Sequence, residues 1–133
     1  KVIKKVRDEL YTTIGLRTLS PKDSAFHKKY IGPMEERDRA YHQGTVWGFP
    51  LGAYYRACIR FMEKYDFAEK KEWTSHICDG LKALEEWLVE GCISQVAEIY
   101  DGECPTVSRG CYAQAWSVGE LLRAVYDFEQ MQG

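Results

Sequence analysis

The chain has 133 residues and a mass of 15.4 kDa, enough to bury one hydrophobic core and too little for two. With 45% apolar and 29% charged residues it is neither disordered nor collagen-like. Its 18 basic and 20 acidic residues leave no electrostatic footing for nucleic acid or an anionic membrane as partner.

No apolar run reaches the ~18 residues that a membrane span needs, and no signal-peptide pattern opens the sequence. The five cysteines (Cys58, Cys78, Cys92, Cys104, Cys111) are odd in number and contain no C-x-x-C pair. They read as reduced thiols among apolar neighbours in a cytoplasmic protein. Neither they nor His27, His42 and His76 offer the short ligand spacing of a zinc knuckle, so no metal and no cofactor is expected.

Taken in order, residues 2–14 place Ile3, Val6, Leu10 and Ile14 on one helical stripe, with Gly15 as a stop. Lys1, Lys4 and Lys5 crowd the positive end of that helix dipole and no capping residue precedes them. The start therefore reads as a cut within a longer polypeptide. From Leu16 to about Gly44 the period disappears across Pro21, Gly32, Pro33 and the charged run 35–39, which reads as a functional loop or a solvated linker.

Residues 48–65 predict a helix with Leu51, Tyr54, Cys58, Ile59, Met62 and Tyr65 on one face, and Pro50 in its first turn. Asp66-Phe67-Ala68-Glu69 has the form of a capping box that opens the next helix. That helix carries Trp73, Ile77, Leu81, Leu84 and Leu88 inward and ends at Gly91, making an antiparallel helical hairpin with its predecessor. Residues 92–100 read as a short helix at most. A last helix over 112–131 sets Trp116, Leu121, Val125 and Phe128 on one face. No alternating run is long enough for a strand, so the predicted class is all-α.

Three constellations carry possible chemistry. Residues 37–47, Arg-Asp-Arg-Ala-Tyr-His-Gln-Gly-Thr-Val-Trp, mix a carboxylate, a histidine, an amide and two large rings. Sugar sites need this mixture, although a loop packed for structure would also hold it. Glu98 lies in an apolar run, so its carboxylate is either paired to an arginine or catalytic. Asp101 precedes Gly102, a turn signal. Gln114 and Trp116, two apart near a helix start, point in different directions, so that one can face a pocket while the other packs.

Gly15-Leu16-Arg17-Thr18-Leu19, Tyr41-His42-Gln43-Gly44-Thr45-Val46-Trp47, Glu98-Ile99-Tyr100-Asp101-Gly102 and Gln114-Ala115-Trp116-Ser117 occur in this order at the carboxyl end of glycogen debranching enzymes. Over roughly residues 12–128 the chain resembles their amylo-α-1,6-glucosidase domain. The resemblance implies part of an (α/α)6 toroid of helical hairpins, with residues 1–133 its carboxyl-terminal portion. It implies inverting hydrolysis of α-1,6-linked glucose at branch points of glycogen or a branched α-glucan by the full-length parent.

The resemblance implies that Glu98 takes the place of the general base, with Asp101 as the alternative. Asp38, Tyr41, His42, Thr45, Trp47, Gln114 and Trp116 fall in the glucose-binding rim. Gly48-Phe49 departs from the Pro-Trp of many relatives. In the family it resembles the acid partner lies upstream, so the fragment alone is expected to be inactive. It is also expected to self-associate through apolar helix faces. Other readings are a sugar-binding helical module without chemistry, a helical interaction domain, and a toroid glycosidase acting on another oligosaccharide.

Overall fold

A computed structural model describes residues 1–66, 68–90, 92–103 and 107–133. The first helix, α1 (Val2–Glu9), is shorter than the apolar stripe suggests. The β-branched run Thr12-Thr13-Ile14 resists helix, and the Thr12 and Gly15 backbones close a reversal instead (Thr12 N–H to Gly15 O, 2.9 Å). Gly15 is thus part of a turn rather than a helix stop. The reversal returns the chain beside Tyr11 as β1 (Leu16–Arg17).

Within the stretch that lacks a period stands α2 (Met34–Tyr41). Glu35 and Glu36 occupy its first turn and Arg39 its last, matching the helix dipole. Only Ala40 is buried, so there is no apolar stripe for periodicity to reveal. After β2 (Val46–Trp47) comes α3 (Phe49–Lys64), with Pro50 in its first turn. Leu51, Tyr54, Cys58, Ile59 and Met62 are buried on its inner face, whereas Tyr65 lies past its end and is exposed.

Next, α4 (Lys70–Trp87) opens about a turn later than the expected capping box, and Glu69 makes no side-chain cap. Phe67 of that box and the expected stop at Gly91 lie outside the described residues. Trp73, Ile77 and Leu84 are buried on this helix. Residues read as a short helix instead include β3 (Ile99–Tyr100), followed by β4 (Ser108–Arg109) and α5 (Ala115–Gln132).

The all-α expectation is therefore corrected to a mostly helical chain with a small antiparallel sheet, ordered β1-β2-β3-β4. Register is set by Leu16 opposite Trp47, Val46 opposite Tyr100, and Tyr100 opposite Ser108. Each strand is two residues long, too short for alternation to show in sequence.

Helices α3 and α4 cross antiparallel, the Thr74 hydroxyl reaching Met62 Sδ (3.7 Å) and the Tyr54 hydroxyl meeting His76 Nε2 (2.9 Å). The closest helix pair is different. Gly48 abuts Ser117, and Gly52 lies so near Glu120 that a Cβ would collide with the Glu120 carbonyl. Arg56 Nη2 reaches Glu120 Oε2 at 3.1 Å. Helices α3 and α5 thus run in the same direction, and their N-termini meet at one end. Val46, Leu51, Tyr55, Met62, Ile77, Tyr100, Leu121 and Phe128 belong to one continuous core beneath the sheet and between the helices.

Candidate active site

The end where α3 and α5 begin is also where β2 and β3 bring their flanks together. Tyr41 closes α2, and its carbonyl accepts bonds from Thr45 Oγ1 (2.6 Å) and Trp47 Nε1 (3.2 Å). Those bonds fold the Tyr41–Trp47 segment onto itself. Thr45 and Trp47 are consequently buried, Trp47 being only 5% exposed. The Trp47 ring meets Tyr41 edge-on (4.9 Å), lies parallel to His42 (5.6 Å) and meets Phe49 edge-on (5.9 Å).

Phe49, the first residue of α3, stacks on Trp116 in the first turn of α5, with ring centroids 4.2 Å apart. Trp116 is 50% exposed, unlike Leu121 and Phe128, with which the helical period puts it on one face. The row from Tyr41 to Trp116 is therefore anchored in the core at Trp47 and open to solvent at Trp116 and His42. Asp38, one turn before Tyr41, is exposed and lines a shallow depression with His27, Arg39, His42 and Gln43. Gln114 is the N-cap of α5, and its backbone N–H bonds the Val96 carbonyl (2.8 Å), tying the helix start to the β3 flank.

Glu98 stands at the inner end of that row, half-buried. The Tyr41 hydroxyl donates to Oε1 of its carboxylate and the Cys111 backbone N–H donates to Oε2 (2.9 Å). A second link, from the Glu98 N–H to the Cys111 carbonyl (2.8 Å), holds the two backbones together. The Tyr41 phenol is pushed up to about 12, first by burial and then by its bond to the Glu98 carboxylate.

The arginine partner that sequence allowed for Glu98 belongs instead to Asp101. Arg109 grips that carboxylate with Nε to Oδ1 (3.2 Å) and Nη2 to Oδ2 (3.0 Å), and the Tyr30 N–H adds a bond to Oδ1 (2.8 Å). Asp101 is 2% exposed, and its side chain forms a cross-strand ion pair rather than a turn contact. Two carboxylates three residues apart are thus placed very differently. Glu98 faces the aromatic row, while Asp101 is committed to holding β3, β4 and the Tyr30 segment together.

The structure gathers Glu98, Tyr41, His42, Thr45, Trp47 and Trp116 at one end of the molecule. The Cys111 amide and Gly110 also belong to this cluster and were not among the expected site residues, although a glycine between a strand and a helix signals special backbone. Cys111 itself is exposed, not an apolar-buried thiol, and Cys58, Cys78, Cys92 and Cys111 are unpaired; Cys104 lies outside the described residues. Among the described residues no cluster of three His, Cys, Asp or Glu side chains could hold a metal ion. No helix among them is long and apolar enough to cross a membrane.

A mostly helical domain thus holds one carboxylate at both oxygens beside a partly open row of rings. Residues 1–123 match the amylo-alpha-1,6-glucosidase family, and the chain belongs to that family. It is similar to a glycogen debranching enzyme of Saccharomyces cerevisiae, 26% identical over 128 residues. That alignment takes in 86% of this chain and 8% of the relative, so the chain spans a small part of the relative's length.

Proposed function

We propose that this chain is the carboxyl-terminal portion of a glucosidase domain whose full-length parent hydrolyses α-1,6-linked glucose at branch points of glycogen, with inversion. Inverting hydrolysis needs one carboxyl group to protonate the leaving oxygen and a second, about 6.5–9.5 Å away, to activate a water. In this reading Glu98 is the second group, the general base, and the acid comes from a part of the parent outside these 133 residues. The chain alone is then a binding surface without turnover.

The observation that carries the assignment is the contrast between the two carboxylates. The bonds from Tyr41 and Cys111 take one acceptor position on each Glu98 oxygen, leaving others for a water. Asp101, in contrast, is buried under Arg109 and Tyr30. The exposed face of Trp116, with Phe49 behind it, suits the C–H face of a glucose ring. His42 and Asp38 supply polar groups at the open edge, and buried Trp47 and Thr45 act by holding that edge in place.

The test is Glu98→Gln in the full-length parent, assayed on a branched dextrin with and without azide. Loss of water activation lowers kcat by ~10²-fold or more with little change in KM. Azide then restores turnover by acting as the nucleophile. Asp101→Asn acts through folding, lowering the melting temperature more than it lowers kcat of the folded fraction. Near-normal kcat in Glu98→Gln, with a well-folded Asp101→Asn protein that is dead, reverses the two roles.

The parallel pair α3 and α5, with α4 antiparallel beside them, is the packing that a ring of helical hairpins repeats. This supports a partial toroid. The apolar groove lined by Leu81, Leu84, Leu88, Val118, Leu121 and Val125 would in that case be covered in the parent. In the isolated chain it drives self-association, and sedimentation over a concentration range reads this directly. Unpaired thiols at all four described cysteines fit a reducing, cytoplasmic compartment.

A further inference from the structure

Sequence reading places Tyr41 among the sugar-binding residues, yet its hydroxyl is already engaged by Glu98 Oε1. Its carbonyl is taken by Thr45 and Trp47, and its ring is enclosed by Tyr30 (5.8 Å), His42 (4.8 Å) and Trp47 (4.9 Å). On the other side of the carboxylate stands Gly110, with φ +66°, a conformation that favours glycine. A Cβ built there would lie 2.5 Å from Glu98 Oε2, so the bare Cα makes the room that the carboxylate occupies. The Cys111 N–H that follows bonds that same oxygen (2.9 Å).

We infer that Tyr41 is a positioning residue for Glu98, and that Tyr41, Gly110 and the Cys111 amide form one cradle that aims the carboxylate. This rests on Glu98 being the base, as proposed above. The three groups come from two distant stretches, the end of α2 and the loop after β4, so neither stretch alone fixes the Glu98 rotamer. A free Glu side chain has three torsions to order, and a base displaced by about 1 Å loses on the order of 10²-fold in rate. Gripping both oxygens from opposite sides removes that freedom. Burial and the bond to Glu98 push the phenol up to about 12, so Tyr41 keeps its proton and acts as the donor to the carboxylate.

The experiment is a double-mutant cycle in the full-length parent with Tyr41→Phe and Glu98→Gln. Tyr41→Phe keeps the ring in the aromatic row and removes only the hydroxyl. Loss of a hydrogen bond to a charged group predicts a fall in kcat of roughly 10- to 100-fold with KM little changed. In the Glu98→Gln background the same change should have almost no further effect, because its target has gone. Gly110→Ala, which crowds the carboxylate from the other side, should reproduce the kcat loss and the non-additivity if Tyr41→Phe fails to fold.

A rise in KM with unchanged kcat makes Tyr41 a sugar contact and overturns the inference, as do fully additive effects. Intact kcat in Glu98→Gln alone removes the base assignment and the cradle's purpose with it. A collapse of kcat in Glu98→Gln beside normal Tyr41→Phe kinetics leaves the base standing and removes only the cradle.

Discussion

Tyr11, Tyr54, Tyr55, Trp73 and His76 form one aromatic group, and Tyr41, His42, Trp47, Phe49 and Trp116 form another. In the first group the polar atoms pair internally: the Tyr11 and Tyr55 hydroxyls lie 3.1 Å apart and the Tyr54 hydroxyl meets His76 Nε2 at 2.9 Å. Arg7 lies 4.3 Å above the Trp73 ring and closes the edge. Burial raises both the Tyr54 and Tyr55 phenols. In the second group the rings step outward, from buried Trp47 to half-exposed Trp116, and their polar neighbour is a carboxylate. Similar residue types thus build a core in one place and a wall in the other. What separates them is whether the polar edges pair with each other or with a half-buried carboxylate.

Breaking the sealed group should hurt the fold most. Tyr55 is fully buried, so Tyr55→Ala should remove about 3–5 kcal/mol from the domain that contains it. Thermal unfolding of the parent reads the loss, and an unchanged melting temperature would erase the distinction between core and wall. Trp116→Ala probes the other side. Half its surface is exposed, so the stability change should stay within about 1 kcal/mol. Glucan affinity should fall by about 1–3 kcal/mol, the range for stacked rings, measured by titration with a branched dextrin.

The smallest effect is a pH dependence confined to the sealed group. Burial first, and then the charge of Arg7, lower the His76 imidazole from its ordinary value of 6.5, while Asp79 and Glu72 oppose the shift. The folded form then binds its proton later than the unfolded chain as pH falls. The stabilisation is whole above pH 6.5, declines as pH drops through that value, and levels off below the lowered folded value. His76→Gln should flatten this part of the stability profile and leave kcat against pH unchanged. A shift in the kcat profile would tie the two aromatic groups together.

The long helices were legible in sequence because Leu51, Tyr54, Cys58 and Met62, or Ile77 and Leu84, repeat at the helical period against one core. Helix α2 was not, since its polar residues bury only Ala40 and dipole complementarity leaves a fainter mark than an apolar stripe. The sheet was invisible because two-residue strands are held by register with distant partners, not by local preference. At the site, motif strings located Glu98 and the aromatic residues. They could not show that Arg109 pairs with Asp101 rather than with Glu98, because that depends on Arg109 lying opposite Ile99 across the β3–β4 ladder. Nor could they reveal that Tyr41 points its hydroxyl at Glu98 from the end of a helix that the sequence does not announce.

The sheet draws its four strands from residues 16–17, 46–47, 99–100 and 108–109. No pair that short persists alone in water, and three of the four segments must cross long stretches of chain to meet. The helices can gather early from local contacts, but the sheet closes only when every distant segment has arrived. The carboxylate's surroundings therefore depend on contacts between segments far apart in sequence, Tyr41 on one side and Cys111 on the other. Amide protons of the β1–β2 and β2–β3 ladders form the seam whose exchange reports on the integrity of the site rather than on the helices that enclose it.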